Sequence, residues 1–183
     1  MKNREKKLLI VVDYQNDFVT GSLGYSGAEI LDDVISEKIT RLRNEGYDIA
    51  FTYDTHDSNY LNTNEGKNLP VEHCIKGTFG HELYGKTGLA KEEGDRVFYK
   101  ETFGSKELFH WLSENEYDVI ELCGLVVSIC VISNAVIAKT ALPEAEIFVD
   151  AKATGSNDKL MTEKALDVLQ ELQVTVLNRE SNI

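Results

Sequence analysis

Short apolar runs alternate along the chain with segments of helical periodicity, and this alternation most constrains the fold. Residues 8–12 are continuously apolar, whereas residues 30–44 place apolar side chains at the spacing of one helix face. The pattern predicts strands at 8–12, 47–53, 97–99, 119–123, 147–149 and 174–177. It predicts helices at 30–44, 105–115, 129–141 and 158–172, with N-caps at Ser105 and at Asn157 or Asp158. Alternating strands and helices favour a parallel sheet covered by helices on both faces.

Polar residues or a glycine turn follow four of the predicted strands at the point where each ends. The stretch LIVVDYQNDF changes from apolar to acidic at Asp13, and Asp54, Lys100 and Gly124 occupy the equivalent place after later strands. The carboxyl ends of parallel strands meet at one edge of the sheet, and ligands of such folds bind there. The pattern therefore indicates a functional site at this edge.

The composition is that of a globular protein, and we expect one domain covering residues 1–183. No stretch approaches the roughly 20 apolar residues of a membrane helix, and the apolar run after MKNREKK is too short for a secretory signal. A net charge of −12 argues against nucleic acid as a partner, because phosphates would be repelled. Three cysteines without framework spacing fit a reducing compartment. We expect a cytoplasmic homo-oligomer without a membrane partner.

The stretch GLVVSICVISNAV brings Cys130 to the predicted start of a helix, directly after a strand. A thiol there lies near the positive end of the helix dipole and near N–H groups, which favour the thiolate and can stabilise an oxyanion. A nucleophilic thiol also needs a base and positive charge, for which Asp13 and Lys100 are the candidates. Each has an ordinary alternative: a buried apolar thiol, a capping acid and a solvated lysine. The three together favour a cysteine nucleophile.

Residues 55–95 form a long polar segment with three of the four histidines, and loops of this length are usually functional or disordered. In YDTH the side chains of Asp54 and His56 point to one side of an extended chain, and His73 follows later. A carboxylate with two imidazoles suits zinc, iron or manganese. The alternative is a polar loop whose histidines have no special role. Further candidate ligands are Glu65, which is the best, and the weaker Asp57 and Asn62.

These motifs resemble those of the isochorismatase-like cysteine hydrolases, and within them the nicotinamidases. The resemblance rests on VVDYQNDF, YDTH, EHCIKGTFG, VFYKETF and CGLVVSICV, which occur in the family's order across most of the chain. It implies a Rossmann-like α/β fold, a three-layer sandwich of helices around a mostly parallel sheet. The cysteine turn departs from the family pattern, because Val127 stands where a threonine is common.

The family's functional residues carry over to the matching positions of this sequence. The resemblance implies a catalytic triad of Asp13, Lys100 and Cys130. It implies a divalent metal ion, zinc or else iron or manganese, bound by Asp54, His56, His73 and, as the variable ligand, Glu65. It implies an oxyanion hole formed by the N–H groups of Val126 and Cys130, next to a cis peptide between Leu125 and Val126. The candidates for stacking on a flat substrate ring are Phe18 and Phe103.

The resemblance implies a cysteine amidohydrolase with a small amide as its substrate, and nicotinamide fits best. Cys130 would form a thioester, with Asp13 as the base, and release nicotinate and ammonia. Three alternatives stay open: a hydrolase whose metal ion activates water, a hydrolase of a carbamoyl amide or of isochorismate, and a non-catalytic binding protein. The intact triad disfavours the last, because a binding protein has no need of all three residues.

Overall fold

In the computed structural model, which describes residues 5–179, six parallel strands form a sheet in the order β3-β2-β1-β4-β5-β6. The strands are β1 Lys7–Val12, β2 Asp48–Asp54, β3 Arg96–Lys100, β4 Val119–Leu125, β5 Glu146–Gly155 and β6 Thr175–Leu177. The helices are α1 Asn16–Val19, α2 Leu31–Asn44, α3 Asn64–Asn68, α4 Gly85–Leu89, α5 Lys106–Glu114, α6 Ile132–Ala141 and α7 Lys159–Glu171. The predicted α/β fold is confirmed.

The sheet buries both faces, because alternate side chains of each strand point to opposite sides. On one face Leu8 and Ile10 belong to a cluster with side chains of α5, α6 and α7. On the other face Leu9 and Val11 belong to a cluster with Ile35 and other side chains of α2. The last five residues of β1 are fully buried, which explains why the sequence is continuously apolar there. The helices and the sheet form the three expected layers.

Side-chain caps fix the starts of two helices close to where the sequence predicts them. The hydroxyl of Ser105 accepts the N–H of Leu108 at 3.1 Å, and α5 begins at Lys106, directly after Ser105. The carboxylate of Asp158 accepts the N–H of Met161 at 3.1 Å, so that Asp158 rather than Asn157 caps α7. These bonds satisfy N–H groups that have no partner within the helix.

The longest of these helices, α2, has 14 residues. A helix needs about 20 apolar residues to cross a bilayer. Between residues 5 and 179, no helix combines the length and the apolar character that crossing requires.

The predicted helix at 129–141 begins differently from the expectation. Val127–Val131 forms a π-helical turn, and α6 starts only at Ile132. The N–H of Val131 bonds to the carbonyl of Val126, five residues earlier, at 3.1 Å, which widens the turn. Cys130 therefore lies inside this turn, which hydrophobicity patterns do not distinguish from an α-helix. Val127 is fully buried in the core, so the departure from threonine supplies an apolar core residue.

A buried ionic cluster accompanies a strand that is longer than predicted. The sequence predicts that the fifth strand ends at residue 149, but β5 continues to Gly155. Asp150 is 3% exposed, and its carboxylate lies 2.6 Å from Nζ of Lys38 on α2. The same Nζ also contacts the carboxylate of Glu121 on β4. Burial raises the pKa of Asp150, but hydrogen bonds, above all from Lys38, hold it below its usual value. Pairing is what allows these charges inside the core.

Candidate active site

The candidate residues gather at the carboxyl ends of adjacent strands. Asp13 follows β1, Asp54 ends β2 and Lys100 ends β3, while Cys130 lies in the π-helical turn after β4. The strand order makes β3, β2, β1 and β4 neighbours, and the register pairs Asp54 with Lys100. Asp13 has a φ of 45°, a left-handed conformation that is uncommon outside glycine and ends the strand. The sheet therefore brings all four side chains to one edge.

Asp13, Lys100 and Cys130 come together in the interior. Nζ of Lys100 lies 2.6 Å from Oδ2 of Asp13 and 3.6 Å from Sγ of Cys130. It also donates to the carbonyl of Thr102 at 3.0 Å. The three site residues are at most 5% exposed, so their charges interact in a medium of low dielectric constant. A thiol, an ammonium and a carboxylate in contact are the groups that a thiol nucleophile needs.

Burial disfavours the charged form of Cys130. Loss of hydration raises the pKa of its thiol well above the usual value, and the ammonium of Lys100 offsets only part of this. Desolvation therefore disfavours the thiolate more than the nearby positive charge favours it, in contrast to the expectation from a helix start. Burial also raises the pKa of Asp13, against the opposing effect of Lys100. A neutral thiol near such a carboxylate is suited to proton transfer from sulfur to oxygen.

A second cluster adjoins the first through Asp54. Its Oδ2 lies 3.1 Å from Nε2 of His56 and 3.2 Å from Nε2 of His73. Its Oδ1 lies 3.3 Å from Nζ of Lys100. Oε1 of Glu65 is 3.8 Å from both imidazole nitrogens. The four predicted ligands thus place one donor atom each within 4.8 Å of one another.

The chemistry of this second cluster fits a divalent transition-metal ion. Asp54 and the two histidines are buried, and the buried Oε2 of Glu65 has no hydrogen-bond partner. Such an atom is uncommon inside a protein, and binding of a cation would compensate for its lost hydration. Burial raises the pKa of Asp54, but hydrogen bonds to both histidines hold it below its usual value, which keeps the carboxylate ionised, as a ligand must be. Two imidazoles with carboxylates suit zinc, iron or manganese.

Gln15 fastens the long segment after β2 to the end of β1. Its side-chain amide donates to the carbonyls of Asp54 at 2.9 Å and of His81 at 2.8 Å, and its Oε1 accepts the N–H of Asp54 at 2.8 Å. Gln15 is fully buried. One side chain therefore fixes the main chain at Asp54, where the segment starts, and at His81, 27 residues later.

Asn16 and Asp17 extend this attachment further along the segment. The side chain of Asn16 donates to the carbonyl of Phe79 at 2.7 Å, and Oδ2 of Asp17 accepts the N–H of Cys74 at 2.7 Å. Cys74 follows His73 directly, so the bond from Asp17 helps to place a predicted metal ligand. Gln15, Asn16 and Asp17 are not among the site residues predicted from the sequence.

A cleft of about 1040 Å³ opens beside both clusters. Its walls include Lys100, His56 and Glu65. Phe103, one of the two predicted stacking residues, is also on the wall and is 45% exposed. Phe18, the other, is 8% exposed, and its ring centroid lies 5.6 Å from that of His73. Phe103 therefore meets the cleft directly, whereas Phe18 packs beside a predicted metal ligand.

The turn after β4 contains the predicted cis peptide between Leu125 and Val126. Asn134, which was not predicted from the sequence, anchors this turn through its side-chain amide. Its fully buried side chain donates to the carbonyl of Cys130 at 2.8 Å and to that of Phe103 at 3.1 Å. The cysteine turn and the loop after β3 are thereby joined. The oxyanion hole formed by the N–H groups of Val126 and Cys130 stays a prediction.

Comparison with known proteins agrees with this architecture. The family model described as Isochorismatase domain matches residues 7–181. An uncharacterized isochorismatase family protein PncA of Bacillus subtilis (strain 168) is 32% identical over 143 residues, which cover 72% of this chain and 77% of the relative. The crystal structure of nicotinamidase/pyrazinamidase PncA from Bacillus subtilis has a TM-score of 0.84 at 26% identity, covering 94% of this chain and 100% of that one.

A further structural neighbour was solved with a metal ion. The pyrazinamidase of Pyrococcus horikoshii in complex with zinc has a TM-score of 0.83 at 23% identity, and the match covers 95% of this chain and 99% of that chain. At this identity the likeness establishes a common fold.

Proposed function

The chain belongs to the isochorismatase family, and we propose that it is a cysteine amidohydrolase that converts nicotinamide to nicotinate and ammonia. The observation that carries the proposal is the contact of one buried ammonium, Lys100, with both Asp13 and Asp54. It supports the proposal because the same ammonium also contacts the sulfur of Cys130, so that a thiol lies close to a group of carboxylate and imidazole side chains. A ring amide with a ring nitrogen can use both parts, and relatives of the chain bear the names nicotinamidase and pyrazinamidase.

In the proposed first half-reaction, Asp13 accepts the thiol proton of Cys130 and the sulfur attacks the amide carbon. The new S–C bond leaves negative charge on the carbonyl oxygen, which the N–H groups of Val126 and Cys130 would stabilise. When the carbonyl re-forms, the C–N bond breaks, and the leaving nitrogen takes the proton from Asp13 and departs as ammonia. The ammonium of Lys100 stabilises the negative charge as it moves between sulfur and carboxylate.

In the second half-reaction, water hydrolyses the thioester. Asp13 accepts one proton of the water while the water oxygen attacks the carbonyl carbon. The C–S bond then breaks, the sulfur of Cys130 recovers a proton from Asp13, and the acid product ionises to nicotinate. The base is thus used twice and regenerated each time, which suits a carboxylate whose pKa burial raises above its usual value.

The proposed metal ligands would hold a divalent ion next to the triad. They are Asp54, His56, Glu65 and His73. When bound, the ion would supply a ligand position for the pyridine nitrogen and so orient the ring. The contact between Asp54 and Lys100 fixes the ligand group relative to the thiol, which matters because misplacement of reacting groups by 1 Å can cost roughly 100-fold in rate.

The charges around the cleft favour a neutral substrate. Apart from Glu65, whose charge a bound divalent ion would offset, the acidic wall residues of the cleft are Asp57, Glu101 and Glu107, and the basic ones are Lys76 and Lys100. Lys100 is already paired with Asp13, so an anion such as isochorismate would meet a wall of predominantly negative charge. A neutral amide avoids this repulsion, and the same charges would help to expel an anionic product.

Steady-state ammonia release from nicotinamide, pyrazinamide, benzamide and a carbamoyl amide tests the proposal. We expect nicotinamide and pyrazinamide to be good substrates and benzamide, which lacks a ring nitrogen, to be the poorest aromatic amide. Equal rates for benzamide and nicotinamide would refute recognition of the ring nitrogen. If a carbamoyl amide exceeds nicotinamide tenfold in kcat/KM, about 1.4 kcal/mol in the transition state, the nicotinamide assignment is wrong.

A further inference from the structure

Thr52 binds the proposed base twice. It lies in β2 opposite Val12, the residue that precedes Asp13, and it is fully buried. Its carbonyl accepts the N–H of Asp13 at 3.2 Å, and its hydroxyl lies 2.6 Å from Oδ1 of Asp13. An ionised carboxylate can only accept, so the hydroxyl is the donor in this bond. A short hydroxyl bond to a carboxylate is among the stronger hydrogen bonds in proteins.

The two carboxylate oxygens of Asp13 have different partners. Oδ1 receives the hydroxyl of Thr52, whereas Oδ2 lies 2.6 Å from Nζ of Lys100. The torsion that rotates an aspartate carboxylate has broad minima, so one contact alone leaves the group free to turn. Two contacts on two different oxygens fix the plane of the carboxylate, and with it the direction of the lone pairs that remain for a proton.

The sheet itself does not require a hydroxyl at this position. Valine has nearly the shape of threonine and is favoured in buried strands. A buried hydroxyl is costly unless it is hydrogen-bonded, and here its acceptor is the side chain of Asp13 rather than the sheet backbone. The hydroxyl of Thr52 is therefore best explained by the carboxylate that it binds.

We propose that Thr52 is a positioning residue, whose hydroxyl holds the carboxylate of Asp13 in the orientation that receives the proton of Cys130. The proposal rests on the proposed function, in which Asp13 is the base. Thr52 itself neither reacts nor touches the substrate in this scheme. It acts through Asp13, so its loss should lower the rate of the chemical step and leave substrate binding largely intact.

The test compares Thr52→Val, which deletes the hydroxyl and keeps the shape, with Thr52→Ser, which keeps the hydroxyl. We expect Thr52→Val to lower kcat for nicotinamide about tenfold or more, toward the roughly 100-fold cost of misplaced reacting groups, with KM little changed. Thr52→Ser should retain most of the activity. Thr87→Val is the control, because it removes another fully buried hydroxyl, whose partner is the Asp32 carbonyl at 3.5 Å. It should leave kcat unchanged.

A second measurement separates this proposal from the proposed substrate. The rate at which iodoacetamide alkylates Cys130, followed by peptide mass, depends on transfer of the thiol proton but not on any amide. It should fall in Thr52→Val and recover in Thr52→Ser. If wild type releases no ammonia from any amide while this difference persists, the proposed function fails and the role of Thr52 stands. If Thr52→Val keeps wild-type kcat and alkylation, or alkylates faster, the role of Thr52 is refuted.

The comparison does not depend on one variant folding well. The melting temperature of each variant is measured beside its kinetics, and Thr52→Ala replaces Thr52→Val if the latter does not fold. Thr52→Ala also lacks the hydroxyl, so the same loss relative to Thr52→Ser is expected. Equal losses in Thr52→Ser and in the hydroxyl-free variant would show that side-chain packing, rather than the hydroxyl, is what matters, and would overturn the proposal.

Discussion

Oδ1 of Asp54 lies 3.3 Å from Nζ of Lys100, so the two clusters of the site share one direct contact. The other oxygen of Asp54 meets the imidazoles of His56 and His73. Lys100 is held more closely by Asp13, at 2.6 Å. We therefore expect the ligand group to govern substrate binding and the triad to govern bond breaking, with only modest influence of one on the other.

Removal of the metal ion should separate these two functions. Dialysis against a chelator is expected to raise KM for nicotinamide about tenfold or more, the equivalent of roughly 1.4 kcal/mol of binding, because the ring loses a ligand position. Alkylation of Cys130 by iodoacetamide should continue at a similar rate, since the contacts of the triad remain. Metal analysis before and after reconstitution accompanies the kinetics. Protein that binds no divalent ion after reconstitution would refute the site.

A matched pair of variants locates the ion more closely. Glu65→Gln should weaken metal affinity about 10-fold or more, the scale on which changes around a metal site act, because it removes the charge of the carboxylate whose Oε2 has no partner. Asp57→Asn removes a charge from the wall of the same cleft but lies outside the group of four donors. It should leave metal affinity nearly unchanged. Equal losses in both variants would indicate a general effect of charge.

The nucleophile can be identified among the three cysteines. Cys130→Ala is expected to abolish turnover. Within residues 5–179, Cys130 is the one cysteine whose sulfur is hydrogen-bonded to the ammonium of Lys100, at 3.6 Å. Cys74→Ala should retain most of the activity, since Cys74 contacts Asp17 through its main-chain N–H. Intact-mass analysis during turnover should trap an acyl adduct on wild type and none on Cys130→Ala. Full activity of Cys130→Ala would favour attack by metal-activated water instead.

The edge of the sheet was predictable because strand ends are visible in the sequence. Apolar runs that stop at Asp13, Asp54 and Lys100 give three of the site positions before any family is considered, and parallel pairing then brings them together. The candidate ligands His73 and Glu65 lie in a segment without periodicity, so the sequence offers both residues but does not indicate how closely they approach Asp54. His73 lies 3.2 Å from Asp54, and Glu65 lies 3.8 Å from His73. Both distances depend on the whole fold.

What the sequence did not reveal depends on contacts between distant residues. Gln15 bonds to residues 39 and 66 positions away, and no local pattern marks such a partner. The extension of β5 through Asp150 was also missed. The ion pair that allows Asp150 to be buried is with Lys38, which is on a helix far earlier in the chain. The π-helical turn at Cys130 has the same apolar pattern as an α-helix start. Propensity and periodicity describe neighbours in sequence, and these features are set by neighbours in space.

The attachment made by Gln15 should control the order of the long segment. Gln15→Met keeps the length of the side chain but removes all three hydrogen bonds to the main chain of Asp54 and His81. We expect faster hydrogen exchange in residues 55–95 and weaker metal affinity, because buried carbonyl and N–H groups lose partners at about 1–3 kcal/mol each. Exchange in β5 and α7 serves as the internal reference. Unchanged exchange in 55–95 would show that other contacts suffice to hold the segment.

The buried cluster of Lys38 with Glu121 and Asp150 should matter for stability rather than for catalysis. Lys38→Met leaves two carboxylates buried without their cation, and breaking such a cluster typically costs about 3–5 kcal/mol. We expect a loss of this size in the free energy of unfolding by guanidinium at pH 7. Lys86→Met is the control, because Lys86 forms an exposed ion pair with Asp33 at 2.6 Å. Exposed pairs contribute roughly 0–1 kcal/mol.

The effect of Lys38→Met should also depend on pH in a defined direction. In wild type the pKa of Asp150 is lowered, so its contribution to stability is present above its unfolded pKa, near 3.9, and is lost as pH falls through the folded value. Without Lys38, burial and the second carboxylate raise the pKa of Asp150, and a proton taken up on mild acidification relieves the repulsion. The destabilisation relative to wild type should therefore be smaller at pH 5 than at pH 7. A difference that stays constant between these pH values would mean that the loss comes from packing of the lysine stem and not from its charge.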